Sequence, residues 1–199
     1  MTKLTGVLIA IGAVLLGEAD AQRSPQNVAA WNDLRLDRRQ QAMTSLTSWG
    51  AVNTVAGLAI GITADGEELR QAGYMTAGWG AINAALGVFG LRGVRKERTR
   101  DVSLAEGVKT LHKTERILLF NAGLDLGYVA AGAYLTERSR RADEDNPARL
   151  RGYGKAIIVQ GIGLFVFDLL AYRHLHQSAV DVTPVLTSEG AGIGATMTF

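Results

Sequence analysis

The chain has 199 residues, enough for one domain, with 47% apolar and 20% charged residues and a formal net charge of +2. It contains no cysteine, so disulfides and thiolate-held metals are excluded and the redox compartment cannot be read. The small net charge conceals segregation. Residues 92–116 hold eight Lys and Arg against four acids, whereas 41–64 and 71–91 hold no charged residue, a pattern of apolar spans divided by polar loops.

Residues 1–21 read as a signal peptide: Lys3 in a positive start, an apolar core from Leu4 to Leu16, and Ala19-Asp20-Ala21 as a small-x-small cleavage site. An uncleaved anchor is the alternative. Residues 22–40 form a polar or interfacial segment, in which Trp31 and Leu34 recur at helical spacing and suggest a short surface helix.

Four apolar segments follow, at about 41–64, 71–91, 115–136 and 154–173, within a membrane domain bounded at 41–176. Each approaches the roughly 20 residues that cross about 30 Å of hydrocarbon. The expected fold is therefore all-α, an antiparallel four-helix transmembrane bundle. A water-soluble bundle would need a clear polar face on every helix, and 41–64 offers only Ser, Thr, Gln and Asn.

The short connector "DGEELR" (65–70) makes the first two helices a hairpin. In the second connector Ser103 and Glu106 form a capping-box pair, and Leu104, Val108 and Leu111 share a stripe. That predicts a short amphipathic helix on the membrane surface, with its basic residues beside anionic lipid. No nucleic-acid motif accompanies these residues. Pro147 interrupts the third connector, 137–153. Residues 177–199 are Thr- and Gly-rich and alternate in places, which predicts an irregular or extended tail with no assigned partner.

The pentapeptides "WGAVN" (49–53) and "WGAIN" (79–83) place Trp49, Asn53, Gly57 and Gly61 on one stripe, and Trp79, Asn83, Gly87 and Leu91 on another. Asn121, Asp125 and Val129 share a face of the third segment, and Gln160, Leu164 and Asp168 a face of the fourth. An amide or carboxyl in each span predicts an intramembrane polar network of Trp49, Asn53, Trp79, Asn83, Asn121, Asp125, Gln160 and Asp168, turned away from lipid. Gly57-xxx-Gly61 and Gly123-xxx-Gly127 permit close helix approach. Asp125 and Asp168 could instead form a proton or cation site, with Asn53 and Asn83 as neutral ligands, or accept hydrogen bonds from the two indoles. His112, His174 and His176 lie toward one end, but residues two apart on a helix diverge. No catalytic, metal or cofactor motif is present.

The stretches "SWGAVNTVAG", "GWGAINAALG", "FNAGLDLGYVAAG" and "GYGKAIIVQGIGLFVFDLLAYRH" resemble a small uncharacterised family of bacterial four-helix integral membrane proteins. The resemblance covers roughly 40–175. It implies an envelope membrane protein of undefined function and assigns no catalytic role. Partners expected on this reading are membrane lipid and a second copy or another envelope protein.

Orientation is contested. Inside-positive counting favours both termini in the cytoplasm, because 22–40 and 92–116 carry most Lys and Arg, whereas a cleaved signal peptide requires the opposite. Inner and outer membrane are not distinguished. The sequence admits two functions, a structural or interaction component of the envelope, and a proton or ion conductor or transporter subunit using Asp125 and Asp168. A membrane enzyme using the histidines ranks third.

Overall fold

The computed structural model describes residues 28–141, 145–178, 180–187 and 190–197, so the expected signal peptide at 1–21 lies outside the described residues. Four helices follow in order: α1 (Val28–Thr63), α2 (Glu67–Arg98), α3 (Leu104–Arg138) and α4 (Pro147–His176). They form an all-α bundle of two antiparallel hairpins, α1–α2 and α3–α4, joined chiefly along α2 and α4. Beyond the bundle, Val180–Thr187 pairs antiparallel with Gly190–Met197 as β1 and β2.

Local signals set the helix boundaries. Ser103 Oγ accepts the Glu106 amide at 3.3 Å and caps α3. Pro147 opens α4, where its missing N–H costs nothing. The helices have 36, 32, 35 and 30 residues, or about 45–54 Å at 1.5 Å per residue. They therefore exceed the apolar spans. The short surface helices expected in 22–40 and 92–116 are not separate elements: residues 28–40 begin α1 and residues 104–114 begin α3. The buried stripe explains the continuity, since Trp31, Leu36, Ala42 and Leu46 form one seam, as do Leu111 and Leu118.

The seams repeat every seven residues. Gly73, Gly80, Gly87 and Val94 are buried on α2; Leu111, Leu118, Asp125 and Gly132 on α3; Gly154, Gly161, Asp168 and Leu175 on α4. A seven-residue period keeps one stripe facing its partner in a left-handed supercoil. Small residues bring the backbones together. A Cβ on Gly50 would lie 2.6 Å from Gly80 O, and one on Gly80 would lie 2.6 Å from Gly50 O. The two copies of the pentapeptide thus pack against each other, antiparallel. The glycine pairs separate in use: Gly57 and Gly61 meet α2, whereas Gly123 and Gly127 have nothing within 4 Å.

The bundle has two zones. Its apolar core lies toward the end formed by the start of α1 and the end of α4, around Trp31, Leu46, Leu111, Phe167 and Leu175. Beyond it, large apolar side chains face outward on all four helices, among them Val55, Ile62, Phe89, Phe120, Leu126 and Ile162. Among the described residues, three helices (α1 from Ala29, α3 and α4) are long and apolar enough to cross a membrane by length and composition. The sequence reading expects four such spans. α2 is not among the three; its many glycines and Asn83 dilute its charge-free stretch.

Candidate functional site

The predicted polar residues come together unequally. Asn53 lies on α1 and Gln160 on α4, and Gln160 Nε2 donates to Asn53 Oδ1 at 2.7 Å in the interior. Asn53 Nδ2 in turn donates to the Trp49 carbonyl one turn back, at 2.8 Å. The Trp49 ring edge reaches α4, where a Cβ on Gly163 would lie 3.1 Å from it. Trp49 and Gln160 therefore tie α1 to α4 at one level.

Asp125 and Asp168 are buried, at 3% and 6% exposure. Their side chains lie close together between α3 and α4. The facing glycines explain this register, because Gly132 and Gly154 allow α3 and α4 to approach, with Gly161 against the Asp125 carbonyl.

The remaining predicted residues sit apart. Trp79 packs edge-on against Tyr128, with centroids 4.8 Å apart, and is only partly buried. Neither indole donates to an aspartate: no hydrogen bond is formed by Trp79 among the described residues, and Trp49 Nε1 has no partner. Asn121 is half-buried and makes no side-chain hydrogen bond to a described residue. Asn83 is buried at 3% exposure.

Several interior polar atoms have no partner among the described residues: the donors Trp49 Nε1 and Asn83 Nδ2, the acceptors Asp125 Oδ2 and Gln160 Oε1, and the Ser45 hydroxyl. Buried groups of this kind normally find one. Ser45 was not singled out from the sequence, although it stands four residues before Trp49 and extends its stripe.

Two of the three histidines converge on one carboxylate. His112 Nδ1 and His176 Nδ1 lie 3.0 and 2.9 Å from the two oxygens of buried Glu115, and the His176 ring stacks on Tyr172. His174 turns to Gln41 of α1 at 2.8 Å. No group of three His, Cys, Asp or Glu suited to a metal occurs among the described residues. Glu115 is the residue the sequence reading missed; its signal is the His112-x-x-Glu115 spacing, which places both on one face. Burial, then the positive Arg38, lowers the His174 pKa below its ordinary value.

Ion pairs close both ends. Fully buried Arg35 and partly buried Arg39 of α1 both bind Glu97 of α2, at 2.6 and 2.9 Å. At the opposite end Lys155 and Arg151 of α4 meet Glu68 of α2. The hydrogen bond from Lys155 leads the effects that lower the Glu68 pKa.

The model of a family of unknown function (DUF6992) matches residues 45–169. The chain belongs to this family. The DUF6992 match takes in all eight predicted polar residues, the Asp125–Asp168 contact and the outward apolar zone, and omits the Trp31 end of the core. No curated protein and no solved structure matches the chain.

Proposed function

We propose that the protein is an integral membrane protein of the bacterial cell envelope, non-enzymatic, acting there as a structural or interaction component. The observation that carries the reading is the inverted distribution of polarity. Val55, Phe89, Phe120 and Leu126 are each more than half exposed, while Asn53, Asn83, Asp125, Gln160 and Asp168 are buried. Contiguous apolar surface on a water-soluble monomer rarely exceeds a few hundred Å². Lipid reverses the preference, since inward polar groups hold helices together and outward apolar groups are solvated by acyl chains. The outward zone runs from Leu69 to Phe89 on α2 and from Ile117 to Tyr134 on α3. At 1.5 Å per residue these are about 30 and 26 Å, close to the roughly 30 Å of a hydrocarbon core. The bacterial assignment rests on the family resemblance.

A second reading has its own support. The Asp125–Asp168 contact, with interior polar atoms of α1, α2 and α4 left without partners among the described residues, favours a proton or ion conductor or transporter subunit. One experiment separates the two. Purified protein in liposomes under an imposed pH gradient is compared with Asp125→Asn. The structural reading expects no flux in either. Flux in the wild type that vanishes in a folded variant would replace it with the second.

A further inference from the structure

We infer that one end of the bundle is a docking surface for anionic phospholipid headgroups, built from one arginine of each helix: Arg39, Arg92, Arg116 and Arg173. This inference rests on the membrane reading above. Cross-helix contacts put the four at one level. A Cβ on Gly93, next to Arg92, would lie 3.6 Å from Arg39 Nη2. His174, next to Arg173, contacts Gln41 on α1. Glu115, next to Arg116, contacts His176 on α4. Each arginine is therefore within about one helical turn, 5.4 Å, of the same plane.

That plane adjoins the outward apolar zone. Phe89 and Ile117 are exposed immediately beside Arg92 and Arg116, and the Arg92 guanidinium lies 5.6 Å from the Phe89 ring centroid. This is the arrangement of a side chain whose stem covers apolar surface while its charge reaches the interface. Arg92, Arg116 and Arg173 are exposed and have no carboxylate partner among the described residues. Arg39 is already paired with Glu97 and contributes least.

The other end is largely ion-paired. There Arg70 pairs with Glu67, Arg140 with Glu137, and Lys155 with Glu68, and exposed Tyr74 and Tyr134 mark the boundary. Arg141 and Arg149 at that end are also exposed without a carboxylate partner among the described residues, so what sets the first end apart is that its unpaired arginines adjoin the outward apolar zone. Arginines distributed over four helices surround the bundle, a geometry that a lipid leaflet can meet on every side and a nucleic-acid duplex cannot. Guanidinium binds phosphate by paired N–H donors. The arginine end accordingly belongs in the more anionic leaflet, the cytoplasmic one.

The test is a titration of the detergent-purified full chain with phosphatidylglycerol and phosphatidylcholine of identical acyl chains, read by native mass spectrometry. The wild type should bind phosphatidylglycerol preferentially. The Arg92→Gln/Arg116→Gln/Arg173→Gln variant should lose the preference, by roughly fivefold per arginine, while Arg70→Gln/Arg140→Gln keeps it. If the triple variant loses its helical circular dichroism, the three single variants carry the test at about fivefold each. An unchanged preference in the folded variants overturns the inference. So does displacement of phosphatidylglycerol by inorganic phosphate or by a DNA duplex, which would mark a general anion site. A chain that is soluble without detergent and enters no vesicle would instead overturn the membrane reading itself.

Discussion

Substituting alanine for Gly50 tests what the repeated pentapeptide does. The added Cβ would lie 2.2 Å from Ala84 N and 2.6 Å from Gly80 O, both backbone atoms that no side-chain rotation can move. Ordinary carbon contacts begin near 3.5 Å, so α1 and α2 would have to separate by about 1 Å along their seam. Overpacking of this kind costs about 1–3 kcal/mol. Against it stands the higher helix propensity of alanine, about 1 kcal/mol. Because both neighbours are backbone, the upper part of the range applies, and the net loss should be about 1–2 kcal/mol. Gly78→Ala is the control: nothing lies within 4 Å of its Cβ, so only the propensity gain remains. Reversible unfolding in detergent, followed by circular dichroism, should rank Gly78→Ala above wild type and Gly50→Ala below it. Gly50→Ala/Gly80→Ala should cost less than the sum of the singles, because both relieve themselves by the same separation. Equal stability of Gly50→Ala and Gly78→Ala would refute the close-packed repeat.

Three other expectations follow from the interior and the ends. Gln160→Leu leaves Asn53 Oδ1 without its 2.7 Å donor and should cost about 1–3 kcal/mol, whereas Asn53→Leu/Gln160→Leu should recover much of that loss; a strictly additive cycle in the same unfolding assay would remove the pair from the network. His174 has its pKa lowered from 6.5 on folding, so its contribution is present above pH 6.5 and is lost as pH falls through the folded value. His174→Gln should flatten that stretch of the stability–pH curve, and an unaltered slope would contradict the assignment. The Glu68 pKa is lowered chiefly by Lys155, so the stability it supplies is present above its usual value of 4.5 and lost in acid; Lys155→Met should raise the Glu68 titration midpoint followed by carboxyl NMR.

What the sequence discloses is local. Trp49, Asn53, Gly57 and Gly61 fall on one stripe because a helix repeats every 3.6 residues, and the structure turns them inward. Ser103 announced the start of α3, since capping depends only on near neighbours, whereas Pro147, read as an interruption of the third connector, is the first residue of α4. The continuity of α1 and α3 was hidden because the charge in 28–40 and 104–114 suggested separate surface helices, although the buried seam runs through both stretches. Gly57-xxx-Gly61 and Gly123-xxx-Gly127 are alike as strings, yet only the first meets another helix. The Asp125–Asp168 contact was equally illegible. It depends on the register between α3 and α4, which Gly132, Gly154 and Gly161 set across a connector of no obvious length constraint. Glu115 carried a local signal in its spacing from His112, but its second partner, His176, is 61 residues away.

The membrane reading is tested most directly by site-directed labelling, which the absence of native cysteine makes clean. Single cysteines replace Val55, Phe89 and Leu126, all more than half exposed, and, as references, exposed Thr99 and Gln177 at one end of the bundle. The reconstituted protein is then treated on both sides of the bilayer with a charged, water-soluble maleimide. The account predicts fast labelling at Thr99 and Gln177 and almost none at Val55, Phe89 and Leu126, because lipid covers what the structure leaves outward. Equal labelling at all five positions, in folded protein, would contradict it.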